Sequence, residues 1–365
     1  MHNKAHPVKN NSSFKMSGNI KFYLIIALAA VLIIAGIILS ILNNMGLIGR
    51  LDPTVIKDYK ISGKTTDIFT ERDYAYLTYN IYENNSPEIP TETGLQILNI
   101  SYKEDPQLIT DYKTPMGADC VFVKGNFAYI GGRGLQIVEI SDKENPAIVG
   151  ICAMDLEDSC IYIEEKYAYI AGYEYTEDCY RLYIIDITDK ENPAIAASCA
   201  MDDKVLDIDV KGNYAYLANW NSGLLIIDIS DKKNPEIAGT CDAPITTSVF
   251  VQGDYAYIID YGFQIIDIND KKNPNLLGNC PIPGSGYSIY IIKNHAYIVN
   301  GSSHSNENDT AGLQIIDIND KENPAIAASC VIDMLQLDSL NIHAERNYAY
   351  IASGQTGLQI IKIIN

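Results

Sequence analysis

The sequence predicts an all-β protein: a seven-bladed β-propeller of four-stranded antiparallel blades, its ring closed by an N-terminal strand and preceded by one transmembrane helix. Three observations carry that expectation. An aromatic-Ala-Tyr triplet begins at Tyr74, Phe127, Tyr167, Tyr214, Tyr255 and Tyr348, with His295-Ala-Tyr as a seventh copy, at intervals of 53, 40, 47, 41, 40 and 53 residues. Each triplet is followed by an apolar strand such as Gly134-Leu-Gln-Ile-Val-Glu-Ile, and six of the seven then run into a polar turn ending in proline, as in Ser141-Asp-Lys-Glu-Asn-Pro146. Ahead of the repeats, residues 22–42 (FYLIIALAAVLIIAGIILSIL) form one uncharged apolar run.

That run is 21 residues long, about 32 Å as a helix, which suffices to cross a hydrocarbon core. Four lysines precede it and almost no charge follows, so residues 1–21 read as a basic cytoplasmic tail, 22–42 as a single-pass signal anchor in the cell membrane, 43–50 as a linker and 51–365 as an extracytoplasmic propeller. The length of the run and the lack of an Ala-x-Ala pair at its end favour a retained anchor over a cleaved signal.

The repeats come next, and their count closes only if the front of the chain joins the back. Prolines 106, 146, 193, 235, 274 and 324 each start an outer strand, while the last copy ends at Asn365 without one. Asp52-Pro53 to Tyr59 matches Asp105-Pro106 to Tyr112, so residues 53–59 supply the missing outer strand of the blade containing residues 348–364. Around the fourth copy the four strands are expected at 205–210, 214–218, 224–229 and 236–241, with Lys211-Gly212-Asn213 as the tight turn between the first two. Continuous apolar runs such as Leu224-Leu-Ile-Ile suit strands covered on both faces, which only stacked blades provide.

The combination of Gly-Asn-Tyr-Ala-Tyr, Gly-Leu-Gln-Ile-Ile-Asp-Ile and Asn-Pro resembles the LVIVD repeat, found in β-propeller surface proteins of bacteria and archaea, over nearly all of 51–365. The resemblance implies the propeller fold and a cell-surface setting. It implies no shared activity and brings no catalytic residue.

Charge narrows the partners. The first 50 residues hold five basic residues and no acid, leaving 22 basic against 46 acidic residues in the remainder, which disfavours nucleic acid. Repeat-length variation is confined largely to one rim, where three second-to-third-strand loops, 79–93, 173–180 and 300–311, are enlarged. Glu174, Glu177, Asp178, Asp202, Asp203, Glu307 and Asp309, with the single tryptophan Trp220, are the candidate binding residues of this acidic rim. The same residues serve equally as a solvating surface. No cofactor is expected; calcium at the rim is the candidate ion, and although Asp and Cys of the channel could ligate a metal, histidine spacing offers no zinc site.

A second constellation lies seven residues before each triplet: Asp67, Cys120, Cys160, Asp207, Ser248, Ser288 and Asn341. All are polar or thiol, and strand alternation puts them on one face, ringing a mouth of the central channel as hydrogen-bonded polar groups. Five of the eight cysteines occupy one outer-strand position and read as small buried hydrophobes, which leaves Cys120 and Cys160 as the one pair to test for a bridge. The Asp of Ile-Ile-Asp-Ile recurs at 186, 228, 267 and 317, which argues for turn capping. Sequons at Asn84, Asn99, Asn300 and Asn308 fall mostly in enlarged loops.

The functional reading is a membrane-anchored extracytoplasmic module that binds a protein, glycan or cation through the acidic rim. The alternative is a propeller-type hydrolase with a carboxylate site at the channel mouth. No Gly-x-Ser-x-Gly elbow is present, and no catalytic residue is assigned.

Overall fold

A computed structural model describes residues 51–82, 90–301, 311–332 and 340–364. The expected transmembrane helix at 22–42 and the rim residues Glu307 and Asp309 lie outside them. No helix among the described residues is long and apolar enough to cross a membrane.

Seven four-stranded antiparallel sheets stand around one axis. Blades 1 to 6 take their strands in chain order from residues 64–113, 120–153, 156–201, 205–241, 248–280 and 285–331. Blade 7 takes its three inner strands from 340–364 and its outer strand from the front of the chain, Leu51–Tyr59. The closing strand pairs Tyr59 with Leu358, the same register in which Tyr112 meets Leu95 and Cys152 meets Leu135. It starts two residues earlier than the sequence suggested. In blade 4 the strands run Val205–Lys211, Tyr214–Asn219, Gly223–Asp228 and Glu236–Cys241, within a residue of expectation at each end.

Both faces of the middle strands are buried because each blade packs on two neighbours. The core is seven apolar clusters, one per blade interface. The interface that closes the ring sets Ile68, Leu77 and Leu98 of blade 1 against Tyr350, Leu358 and Ile360 of blade 7. Apolar area removed from water on both faces of every sheet is the main favourable contribution, at about 25 cal/mol per Å².

One rim, the turn rim, carries the turns that repeat. Between inner and second strands the backbone needs a left-handed residue; Gly125, Gly212 and Gly253 supply it with φ of 61–64°, while Arg72, Glu165, Lys293 and Arg346 take it at 50–58°. Between third and outer strands, Asp186, Asp228, Asp267 and Asp317 each accept the N–H two residues on at 2.8–2.9 Å, the capping role their recurrence implied.

The lysine in these third-to-outer turns makes a clamp that repetition alone does not reveal. Lys143 and Lys232 donate to the carbonyls of Ile140 and Ile229 at 2.8 and 2.7 Å, and Lys190, Lys271 and Lys321 repeat the bond. The same ammonium groups lie over rings of the preceding blade's triplet, as Lys143 lies 5.1 Å from Tyr74 and Lys232 5.8 Å from Tyr167 and Tyr169. Lys103 of blade 1 reaches Tyr348 and Tyr350 of blade 7 at 5.7 and 5.5 Å, carrying the clamp across the closure. Glycine marks the closest approach on this side: a Cβ on Gly150, Gly239 or Gly278 would stand 1.9–2.2 Å from a carbonyl oxygen of the next blade's turn.

Candidate functional site: channel and loop rim

All seven residues of the predicted polar ring line the central channel. Each occupies an equivalent register, with Asp67 opposite Thr78, Cys160 opposite Ala171 and Asn341 opposite Ala352. Their polar atoms join neighbouring inner strands, whose N–H groups have no strand partner on the channel side. The Asp67 carboxylate accepts from Ile68 N and from Val121 N of blade 2, both at 2.8 Å. Asp207 accepts from Ile208 N at 2.8 Å, Ser248 Oγ at 2.6 Å and Val249 N at 3.0 Å. Ser248 and Ser288 accept from Ile289 N and Ile342 N at 3.2 and 3.4 Å, and Asn341 donates to the Thr66 carbonyl at 2.9 Å. Burial pushes Asp67 up to about 7 and Asp207 to about 6, while the backbone N–H bonds pull the other way.

The one pair singled out as a possible bridge, Cys120 and Cys160, is not joined; all eight cysteines are free thiols. Cys120 Sγ lies 3.8 Å from Ser159 Oγ, and Cys160 Sγ is turned to the Ala171 carbonyl of its own blade at 3.6 Å. Burial holds both thiols well above their ordinary range, so neither supplies a thiolate.

Two residues further along each inner strand is a second ring that sequence reasoning missed: Phe69, Phe122, Tyr162, Asp209, Phe250, Tyr290 and His343. Its members face the channel because alternation returns the chain to the same face every second residue. Ring centroids are 4.9 Å apart for Phe69–Phe122, 5.1 Å for Phe122–Tyr162, 5.2 Å for Phe250–Tyr290, 4.4 Å for Tyr290–His343 and 4.7 Å for Phe69–His343. Asp209 fills the remaining place, accepting from Val251 N at 2.6 Å, and burial pushes it up to about 7. Burial holds the His343 imidazole down to about 3, so it is neutral, with Nδ1 2.7 Å from Thr70 Oγ1.

This girdle divides the channel. Above it a funnel of about 470 Å³ opens to the loop rim past Lys64, Lys204 and Trp220. At the girdle a cavity of about 300 Å³ is lined by the rings themselves.

On the loop rim the predicted residues do not act as one patch. Glu177, Asp178 and Asp202 are exposed, and Trp220 is 40% exposed at the lip of the funnel. Glu174 is turned to Arg181 at 2.7 Å, and Asp178 accepts the Tyr173 hydroxyl. Asp203 is buried: it accepts Lys204 N, Asn221 N, Asn221 Nδ2, Ser222 N and Ser222 Oγ at 2.6–3.1 Å, and these bonds hold its carboxyl below the usual range against the cost of burial. The loop expected at 173–180 is an extended hairpin in which Glu174 pairs with Cys179. Among the described residues no three carboxylates, thiols or imidazoles are placed to hold a metal ion, calcium included. Asn300, the acceptor residue of one sequon, is fully buried, its amide donating to Pro283 O at 2.7 Å.

Among the described residues of the rim, a groove of about 760 Å³ lies over blade 2. That blade turns between its second and third strands in a single residue, Arg133, while blades 1 and 3 rise on either side. Tyr82 and Tyr175, 38% and 52% exposed, stand among its lining residues. Its charges are largely paired: Arg133 with Asp155 at 2.9 Å, Lys204 with Asp158 at 2.9 Å, and Lys113 with Glu92.

The pattern that defines the LVIVD repeat matches residues 117–154, 159–201, 203–243, 245–281 and 338–365, together about half of the chain. No curated protein matches the sequence. Among solved structures, the WD40 domain of Neurospora crassa Pan2 is similar at a TM-score of 0.60 with 10% identity, over 86% of this chain and 97% of that one. The computationally designed Ika8 protein is similar at 0.56 with 8% identity, over 85% and 98%. At such identities the likeness is one of fold alone.

Proposed function

We propose, from the premise that the chain belongs to the LVIVD repeat family, that it is a binding or scaffolding module held at the cell surface by residues 22–42 and engaging a protein or glycan through its loop rim. The observation that carries the reading is the groove over blade 2. Its lining combines the rings of Tyr82 and Tyr175 with Arg133, Lys113 and five carboxylates already held in ion pairs or hydrogen bonds. Amphipathic rings beside fixed hydrogen-bonding groups suit an extended peptide or a sugar chain, since both offer flat apolar faces and dispersed polar atoms. The carboxylates at the channel mouth support binding over hydrolysis: Asp67 and Asp207 both accept backbone N–H groups, so their orientation serves the ring.

The test is a titration of the purified protein with cell-surface glycans and with solubilised surface proteins, repeated on Tyr82→Ser/Tyr175→Ser and on Glu177→Gln/Asp178→Asn. Binding that weakens about tenfold or more in the tyrosine variant supports the groove. Binding unchanged in both variants moves the site off this rim and overturns the reading.

A further inference from the structure

We propose that the girdle at mid-channel is a binding site for a compact organic ammonium ion, a function independent of the loop rim. Six rings, Phe69, Phe122, Tyr162, Phe250, Tyr290 and His343, face a cavity of about 300 Å³ whose charged lining residues are Asp67, Asp207 and Asp209. Neither lysine nor arginine is among the lining residues, so three carboxylates share the space with no basic partner from the protein.

The dimensions fit a cation at the centre. Neighbouring centroids are 4.4–5.2 Å apart. A regular seven-membered ring with sides of about 5 Å has its centre about 5.7 Å from each corner, within the roughly 6 Å at which a cation is attracted to a ring face. An ammonium there meets several rings at once, with Asp209 in the same layer and Asp67 and Asp207 one layer above. The attraction is strongest where water is excluded, as between closely set rings in a narrow channel. A metal ion suits the cavity less well, since hard cations need several convergent oxygen ligands. Among the described residues no such group exists. The funnel above shares Asp67, Asp207 and Asn341 with this cavity and provides the way in.

Protonation supplies an independent readout. Around the cavity the groups beside the three carboxylates are Cys120 and Cys160, held as neutral thiols, Tyr162 and Tyr290, pushed up by burial, and the neutral His343, while on the funnel side Asp67 and Asp207 share the lining with Lys64, Asp119 and the Lys204–Asp158 ion pair. Burial, with repulsion from Asp207 added on Asp67 and Asp209, pushes Asp67, Asp207 and Asp209 up to about 7, 6 and 7. A bound cation favours their ionised forms, so binding at pH 6.5 releases protons, and affinity rises with pH through that range.

The experiment is calorimetric titration of the full chain with choline and with its neutral isostere 3,3-dimethylbutan-1-ol, at pH 6.5 in two buffers of different ionisation enthalpy. Choline is expected to bind about tenfold or more tightly than the alcohol, with net proton release. Asp209→Asn is expected to remove most of that preference, and Tyr290→Leu to weaken choline while leaving the pH dependence in place. The comparison of choline with the alcohol on the unmodified protein needs no variant to fold. Equal binding of the two probes, no proton release, or no choline binding at millimolar concentration overturns the proposal. None of these outcomes bears on the groove over blade 2.

Discussion

On the turn rim four blades present the same aspartate and lysine, the one accepting an N–H two residues on and the other donating to a carbonyl while covering the neighbouring blade's rings. On the loop rim blade 2 turns in one residue, Arg133, whereas blade 3 extends into a hairpin braced by Arg181 and Glu174. The same repeat thus yields a uniform edge and an irregular one. The difference follows from what each edge must do. The turn rim joins every blade to the one before it, so a change there is felt at an interface. The loop rim joins nothing that the stacked sheets have not already joined, so its loops are free to differ and to meet partners.

The sharpest way to break this comparison is to delete residues 51–60, which removes the outer strand of blade 7 and leaves Gly357–Ile364 an unpaired edge. Thermal unfolding should drop by about 10 °C or more and lose cooperativity, whereas an unchanged transition would show that the ring does not depend on its closure. Gly239→Val comes next. It drives a side chain into the Lys271 carbonyl oxygen, 2.2 Å from where the Cβ would sit, and should cost about 2–3 kcal/mol in denaturant unfolding.

Between the rims, Asp209→Asn tests the channel. Because burial raises the folded-state value to about 7, the native protein binds more protons than the unfolded chain between roughly pH 4 and 7, and stability falls as pH rises through that window. The asparagine variant should match the parent near pH 4 and be the more stable of the two at pH 8. A constant difference across that range would mean that Asp209 does not titrate there.

Two conservative changes then place the rims side by side. Lys232→Met on the turn rim loses a carbonyl hydrogen bond and the contact with Tyr167 and Tyr169, for about 1 kcal/mol. Glu177→Gln on the loop rim should stay within about 0.5 kcal/mol, as an exposed residue with no structural partner would. If the two variants unfold alike, the asymmetry between the edges is one of sequence and not of energy.

Much of the ring was legible before the structure, because each blade repeats a pattern that only stacking satisfies. The displaced outer strand followed from aligning Pro53 with Pro106, and the polar ring from counting back seven residues from each triplet. The aromatic girdle was available to the same count: moving two residues on from Asp67 gives Phe69, and from Ser288 gives Tyr290. It escaped notice because Asp209 and His343 break the aromatic identity that a repeat search rewards. Other features depend on geometry between segments. Glu174 and Glu177 look alike in sequence, yet the hairpin register points one to Arg181 and leaves the other exposed. Asp203 looks like a rim carboxylate until the turn at 220–222 is seen to close on it. The lysine clamp needs two blades to be seen at all.

The seam in blade 7 also has a mechanical meaning. Leu51 enters at the turn rim beside Ile364, and six register pairs hold the front strand to the last one. A pull along that strand, outward from the turn rim, loads all six pairs in shear and must break them together. A pull that draws Leu51 sideways from Ile364 opens them in succession. The seam therefore resists load along its strand better than peeling, so the direction of tension bears on whether the propeller stays shut.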